Sequence, residues 1–95
     1  MLFMDIITWE PKDTAEVLNR FKSWKYPEGL KVISEWEDLS TCRHIVVYDA
    51  QNAEVYASSS FPWRDICYFD SFPVMESNAC MKFMAEYEIT FKDKK

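Results

Sequence analysis

The hydrophobic and polar positions at the start of the chain predict a strand followed directly by a helix. Residues 2–9, LFMDIITW, are rich in β-forming side chains and lack helical spacing. Pro11 suits the first turn of a helix, and an apolar stripe at helical spacing predicts a helix over about 12–24. The stripe consists of Ala15, Val17, Leu18, Phe21 and Trp24. Gly29, the only glycine, lies in YPEG and predicts the turn that follows.

Alternation of period two then predicts a β-hairpin from LKVISEWED (30–38) and CRHIVVYD (42–49). A three-residue loop, 39–41, would set Trp36 opposite His44 and Glu37 beside Arg43. A loop of two or four residues would instead set Glu35 opposite His44, where a carboxylate favours the charged imidazole. We prefer the first register because it pairs unlike charges across the strands.

The second half of the chain predicts a helix, a strand and a last helix. Small residues at helical spacing in AQNAEVYASSSF (50–61), closed by Pro62, predict the second helix. The segment RDICYFDSFPV (64–74) predicts a fourth strand, and Pro73 indicates that this strand lies at an edge of the sheet. An apolar stripe from Ala79 to Tyr87 predicts a third helix over about 76–88.

The order β-α-β-β-α-β with a C-terminal helix is typical of a ferredoxin-like α+β sandwich, which carries both helices on one face of its sheet. We therefore expect one domain over residues 1–88 and a tail over 89–95. The strands carry large apolar groups on both faces, so the uncovered face needs a cover. A second copy of the same sheet would provide it, which predicts a homodimer of the dimeric α/β barrel type.

Charge and cysteine content narrow the function classes. A net charge of −5 and a pI near 4.8 argue against nucleic-acid partners, and the only basic cluster is the end KDKK. The start MLFMDIITWE resembles neither a signal peptide nor a membrane span, so we expect a cytoplasmic protein without membrane contact. Cys42, Cys67 and Cys80 are odd in number and lack C-x-x-C spacing, which predicts neither disulfides nor a structural zinc site.

Several segments together resemble a small, functionally uncharacterised prokaryotic family: TWEPKDTAEVLNRFKSW, PEGLKVISEWED, IVVYDAQNAE and PWRDICYFDSFPVME. The likeness covers about residues 1–85, and its most specific pieces are the TW before the proline-opened helix and the FPVM at Phe72–Met75. The resemblance implies half of a dimeric α/β barrel. The wider superfamily includes antibiotic-biosynthesis monooxygenases, muconolactone isomerases and haem-degrading enzymes, so the fold alone does not choose an activity.

His44, the only histidine, has two interpretations. It could be a general base, or a ligand to haem or a metal, at the mouth of an aromatic cavity. It could instead be a cross-strand partner of Trp36, and we favour this interpretation because the family usually has an apolar residue here. Cys42 and His44 share a face, but two donors do not make a stable metal site, so we expect no metal and no cofactor.

Asp5 and Asp70 interrupt apolar strands that pair in this fold. If the two carboxylates share the open face, one would have a raised pKa and could serve as an acid or base. In the alternative interpretation, both side chains reach water and discourage pairing at the sheet edge. We favour this second interpretation. The catalytic candidates are therefore His44, Asp70 and Asp5. The residues expected to line a cavity on the open sheet face are Trp36, His44, Tyr48, Tyr68 and Asp70.

The sequence thus predicts a module that binds or senses a small apolar or aromatic molecule in that cavity. One alternative is a cofactor-independent monooxygenase or isomerase in which His44 or an aspartate moves the proton. The other alternative is a structural or protein-interaction module without a ligand.

Overall fold

A computed structural model of the chain describes the backbone of residues 1–93 and the side chains of residues 1–88, and it has the predicted α+β class. In chain order, its elements are β1 (Leu2–Thr8), a 3-10 turn (Pro11–Asp13), α1 (Thr14–Ser23), β2 (Leu30–Glu37), β3 (Arg43–Ala50), α2 (Ala53–Ser60), a second 3-10 turn (Phe61–Trp63), β4 (Tyr68–Pro73) and α3 (Ser77–Asp93). The predicted order of strands and helices is confirmed.

The four strands form one antiparallel sheet in the order β2-β3-β1-β4. The hairpin of β2 with β3, the pairing of β1 with β4 and the edge position of β4 are as predicted. Gly29 has a φ of 92°, and its carbonyl accepts a 3.1 Å bond from the Gln51 amide. A Cβ at that position would meet Gln51 Oε1 at 2.7 Å, so the turn requires glycine.

The predicted register of the hairpin is wrong for residues 34–37 of β2, because this strand contains a bulge at Ile33. Val32 pairs with Tyr48 as expected, but the register shifts by one residue between Val32 and Ser34. Trp36 consequently pairs with Ile45, and Glu37 lies opposite His44. A bulge inserts one residue and so turns every later side chain to the other face.

One face of the sheet carries α1, α2 and the second 3-10 turn, and the core lies between these layers. At one end Val17, Trp63 and Cys67 form a buried cluster, which Ile7 joins from β1. At the other end Val46, Tyr48 and Ala50 are buried, and Val55 and Tyr56 of α2 pack on them. Asn52 begins α2 by accepting a 2.9 Å bond from the Val55 amide, and Arg20 ties α1 to Asp65 by two bonds of 2.9 and 2.7 Å.

On the opposite face of the sheet, which we call the open face, no helix packs within the part of the chain that the structure describes. The strand registers place large apolar side chains on it, with polar and charged ones around them. The apolar members are Leu2, Met4, Ile6, Trp36, Ile45, Val47, Tyr68 and Phe72, and the polar members are Thr8, Lys31, Ser34, Arg43, Asp49 and Asp70. Trp36 is 66% exposed and Tyr68 is 64% exposed. The large apolar groups predicted for this face are therefore present, and solvent reaches them.

Helix α3 projects away from the rest of the chain. It has only sparse contact with the other elements, and the radius of gyration is 17.1 Å, whereas a compact chain of this length has about 12 Å. The helix continues to Asp93, beyond the predicted end near residue 88, so the first part of the predicted tail is helical. Lys94 and Lys95 lie outside the described residues.

Strand β4 begins later than predicted because the segment before it is a tight turn. The amides of Ile66 and Cys67 both bond the carbonyl of Trp63, at 3.1 and 2.8 Å, which keeps residues 64–67 out of the sheet. This turn carries Trp63 and Cys67 under α1, where both are buried.

Candidate functional site

A cavity of about 60 Å³ lies between the sheet and the helices, on the face opposite the open face. Its floor is the sheet, its roof is α1 with the second 3-10 turn, and the exposed side chains of Leu18, Phe21 and Glu37 lie at its rim. The lining is mostly apolar and consists of Asp5, Ile7, Trp9, Val17, Leu18, Phe21, Trp24, Tyr26, Glu37, His44, Tyr48, Ser59, Trp63, Cys67 and Phe69. Most of these come from alternate positions on strands and from one stripe of α1.

Asp5 provides a carboxyl group at the cavity floor. It is 3% exposed, and its Oδ1 accepts a 2.8 Å hydrogen bond from the hydroxyl of Tyr48, which is 1% exposed. Burial raises the pKa of the Asp5 carboxyl above its ordinary value, and the hydroxyls of Ser71 and Tyr48 only partly oppose that rise. Burial and the neighbouring carboxylate also raise the pKa of Tyr48. Asp5 is therefore a buried acid beside neutral donors.

His44 lies at the cavity wall with a carboxylate at each ring nitrogen. Its Nδ1 contacts Oε1 of Glu37, and its Nε2 lies 3.0 Å from Oε2 of Glu35. The same Glu35 oxygen accepts a 3.0 Å bond from the hydroxyl of Tyr26, and the Phe21 ring meets the imidazole edge-on at 5.5 Å. Both ring nitrogens can donate to carboxylates only when the imidazole carries two protons.

This arrangement comes directly from the bulge. With the shifted register, Glu35 and Glu37 turn toward the helices and meet His44, while Trp36 turns to the open face. The two carboxylates sit at opposite edges of the ring and do not converge. Within the residues whose side chains are described, no group of three or more histidine, cysteine or acidic side chains could hold a metal ion.

Aromatic rings form the walls. The rings of Trp24 and Trp63 meet at 5.5 Å and 80°, and Tyr26 meets Trp24 at 5.8 Å and 76°. In these near-perpendicular contacts the edge of one ring meets the face of the next. Trp9 is fixed by a 3.1 Å bond from its indole N–H to Oγ1 of Thr14, at the start of α1. The walls are therefore held by ring contacts and by one side-chain bond.

The cavity also contains a thiol and a hydroxyl. Burial raises the pKa of the Cys67 thiol to about 11, so it is a poor nucleophile near neutral pH. Ser59 donates a 2.7 Å bond to the carbonyl of Tyr56, and its hydroxyl also interacts with that of Tyr48. Among the described cavity residues, the carboxyl of Asp5 is the group best suited to exchange a proton with a bound molecule.

The residues expected to share one site divide between two faces. His44, Tyr48 and Asp5 line the cavity under the helices. Trp36, Tyr68 and Asp70 lie on the open face, since Asp70 pairs with Ile6 and Asp5 pairs with Ser71. The alternative in which Asp5 and Asp70 share the open face is wrong for that reason, and so is the placement of Trp36 beside His44. The favoured interpretation, in which both carboxyls reach water, is also wrong for Asp5, which is 3% exposed, whereas Asp70 is exposed.

The sequence did contain a signal for the helix-covered site. Val17, Phe21 and Trp24 repeat on one side of α1, and such a stripe faces the sheet. Such a stripe fits a filled core equally well, so the cavity residues Phe21, Trp24 and Tyr26 were not identified from the sequence. Glu37 was missed because the bulge that turns it inward has no glycine or other mark in the sequence.

The fold and the site define a small α+β domain with an aromatic cavity between its sheet and its helices. The chain belongs to a family described as a domain of unknown function, DUF3303, whose model matches residues 1–88. This result confirms the expected membership in an uncharacterised family. No curated protein and no solved structure shows significant similarity to the chain.

Proposed function

We propose that the chain binds a small molecule in the cavity between the sheet and the helices. The observation that carries this proposal is the combination of an aromatic, largely apolar lining with a buried polar pair, Asp5 and Tyr48, at the floor. Apolar pockets with a few convergent polar groups are the usual form of small-molecule sites. The bound molecule has an apolar part and one polar group.

The cavity volume limits how much of that molecule enters. A volume of about 60 Å³ is less than half of the roughly 150 Å³ in which benzene binds, and it equals about two water molecules at liquid density. The polar end of the ligand therefore enters, and its ring lies between Leu18 and Phe21 at the rim. Leu18 is 51% exposed and Phe21 is 41% exposed, so a ligand ring can reach both side chains.

A calorimetric titration tests this proposal with three probes that share one ring: benzyl alcohol, benzylamine and benzoate. At least one should bind the wild type, and Phe21→Ala should weaken it about tenfold by removing the rim. Val17→Phe, which fills the cavity, should abolish binding, with circular dichroism to verify its fold. Tyr68→Ala removes an aromatic ring from the open face and should leave binding unchanged. If none of the probes binds the wild type, the proposal fails and a protein-interaction role is favoured.

A second candidate function is proton transfer within a bound carbonyl or aromatic compound without a cofactor. The raised pKa of the Asp5 carboxyl at the cavity floor favours it. Asp5 is preferred to His44 as the proton carrier because both nitrogens of His44 already contact carboxylates. Exchange of the methyl protons of acetophenone in deuterated buffer, followed by NMR, should be catalysed by wild type and by Asp70→Asn but not by Asp5→Asn. Exchange at the buffer rate would contradict this candidate.

We further propose that the chain is a ferredoxin-like domain that pairs with a second copy through the open face. The uncovered face supports this, since four strands of about seven residues present roughly 440 Å². Stable interfaces take about 600–1,000 Å² from each partner, so the sheet face alone is too small. The projecting helix α3 could supply about 250 Å² more along one side, and its exposed apolar residues Met81, Phe83 and Met84 fit that role.

Native mass spectrometry tests the dimer. The wild type should be a dimer, and Ile45→Glu should dissociate it, because Ile45 lies on the central strand β3 between Trp36 and Ile6, and burying a carboxylate there against a second copy of the face is costly. Leu39→Glu changes a fully exposed loop residue and should leave the dimer intact. A wild-type monomer would contradict the proposal.

We also propose a cytoplasmic location, which the free thiols of Cys42, Cys67 and Cys80 support. Among the described residues, no helix combines the length and apolar character that a membrane crossing demands.

A further inference from the structure

We infer that the cavity selects an organic cation, specifically an ammonium group on a methylene carbon, over neutral and anionic molecules. This inference rests on the proposed binding function and names the class of its ligand. Three features of the cavity carry it: its charged groups, its aromatic faces and its size.

The charged groups around the cavity are predominantly acidic. Among its described lining residues, the ionisable groups of the floor and rim include the carboxylates of Asp5 and Glu37 and the imidazole of His44, with no lysine or arginine. Glu35 adds a third carboxylate through its contact with His44. A bound anion would face these carboxylates, and the imidazole of His44 offsets them little because both of its nitrogens already contact Glu37 and Glu35, so binding of an anion is disfavoured.

Asp5 is the group that most needs a cation. It is 3% exposed, its side-chain partners are the hydroxyls of Tyr48 and Ser71, and within residues 1–88 it forms no ion pair. A buried carboxylate without a counter-charge is costly, and an ammonium group beside it would remove that cost. The carboxyl therefore gains more from a ligand cation than from another hydroxyl, which Tyr48 already supplies.

The aromatic walls favour the same class of ligand. Trp24 and Trp63 both line the cavity, and their rings meet edge to face at 80° rather than stacking. A cation placed over the face of a tryptophan is attracted by the ring electrons, and more strongly when both are out of water. The carboxyl group at the cavity floor and the tryptophan rings in its wall thus both attract an ammonium group.

The size of the space decides between kinds of ammonium. A cavity of about 150 Å³ holds the six carbons of benzene, so about 60 Å³ corresponds to roughly two non-hydrogen atoms on the same scale. An aminomethyl group has two such atoms, whereas a trimethylammonium head has four and exceeds the space. A primary amine on a methylene carbon is accordingly the preferred form.

The experiment compares four molecules with the same ring by calorimetric titration: benzylamine, benzyl alcohol, benzoate and benzyltrimethylammonium. Benzylamine should bind about tenfold more tightly than benzyl alcohol. Benzoate and the trimethyl compound should bind most weakly. If benzyl alcohol binds as tightly as benzylamine, or benzoate binds more tightly, the charge selection is overturned while the binding function stands. If none of the four binds, the binding function itself fails.

Variants identify the carboxylate that acts. Asp5→Asn keeps an acceptor for the Tyr48 hydroxyl and should reduce the preference for benzylamine over benzyl alcohol to about twofold or less. Glu37 is exposed, so its replacement leaves the core intact. Glu37→Gln should reduce the preference for benzylamine over benzyl alcohol by a smaller factor than Asp5→Asn does. Asp70→Asn removes a carboxylate from the open face and should leave the preference unchanged. An unchanged preference in both Asp5→Asn and Glu37→Gln would overturn the inference.

Discussion

The hydroxyl of Tyr48 donates a 2.8 Å hydrogen bond to Oδ1 of Asp5, and both side chains lie at the floor of the cavity between sheet and helices. The two residues come from neighbouring strands, since Asp5 pairs with Val46 and Phe3 pairs with Tyr48. Each is on the helix-covered face because of that register. The bond joins the two strands that carry the most deeply buried part of the core.

Tyr48→Phe tests the energetic role of this bond. The variant keeps the ring but leaves the buried Asp5 carboxyl without its tyrosine donor, so the free energy of unfolding should fall by about 1–2 kcal/mol. Urea unfolding measures the change. Tyr68→Phe removes an exposed hydroxyl on the other face and should change the unfolding free energy by less than about 0.5 kcal/mol. Equal effects of the two substitutions would contradict the account.

The raised pKa of Asp5 predicts how stability depends on pH. In the unfolded chain the carboxyl loses its proton near pH 3.8, while the folded chain keeps it to higher pH. The folded state binds more protons in that window, so this group's contribution to stability falls as pH rises from 3.8 through the raised pKa. It is constant below the window.

Asp5→Asn should remove this contribution. Relative to wild type, the variant should therefore gain stability as the pH rises through the window, and urea unfolding at a series of pH values measures the difference. Asp70→Asn, on the open face, should show no such trend. A difference between Asp5→Asn and wild type that is flat with pH would contradict the uncompensated burial of Asp5.

Val17→Ala tests the packing of the cavity roof. Val17 is 6% exposed within its cluster, so loss of two methyl groups should cost about 2 kcal/mol of unfolding free energy. Leu18→Ala, at a neighbouring position that is 51% exposed, should cost less than about 1 kcal/mol. Thermal or urea unfolding measures both. A larger cost for Leu18→Ala would mean that α1 is rotated relative to the sheet.

The thiols should differ in reactivity. Burial raises the pKa of Cys67 to about 11, so iodoacetamide at about pH 8 should modify it slowly in the folded chain. Cys80 is exposed on α3 and should react at the rate of a free thiol. Mass spectrometry of digested protein gives both rates, with urea-unfolded protein as the reference in which the rates converge. Rapid labelling of folded Cys67 would contradict its burial.

Much of the fold could be predicted because its signals are local. The alternation in CRHIVVYD, the stripe of α1 and the lone Gly29 each fix their element through short-range chemistry. The hairpin register could not be predicted to its end, because the bulge at Ile33 depends on packing between strands. That single residue decides whether Trp36 or Glu37 meets His44.

The candidate site was only partly predictable for a related reason. His44, Tyr48 and Asp5 were expected in a cavity, but on the open face, because the sequence does not say which side of the sheet the helices cover. The inward stripe of α1 alone gave no means to distinguish a filled core from a lined cavity. The volume of a cavity depends on how the helices pack against the sheet, and the pattern of apolar residues along the chain does not specify it.

The most direct test of the central claim uses the four tryptophans as reporters. Trp9, Trp24 and Trp63 line the cavity, and Trp36 lies on the open face. Their indole N–H signals in a ¹⁵N–¹H correlation spectrum are assigned with single Trp→Phe variants, and benzylamine is then titrated. The account predicts saturable shifts of the Trp24 and Trp63 signals and a constant Trp36 signal. A shift confined to Trp36 would place binding on the open face and contradict the account.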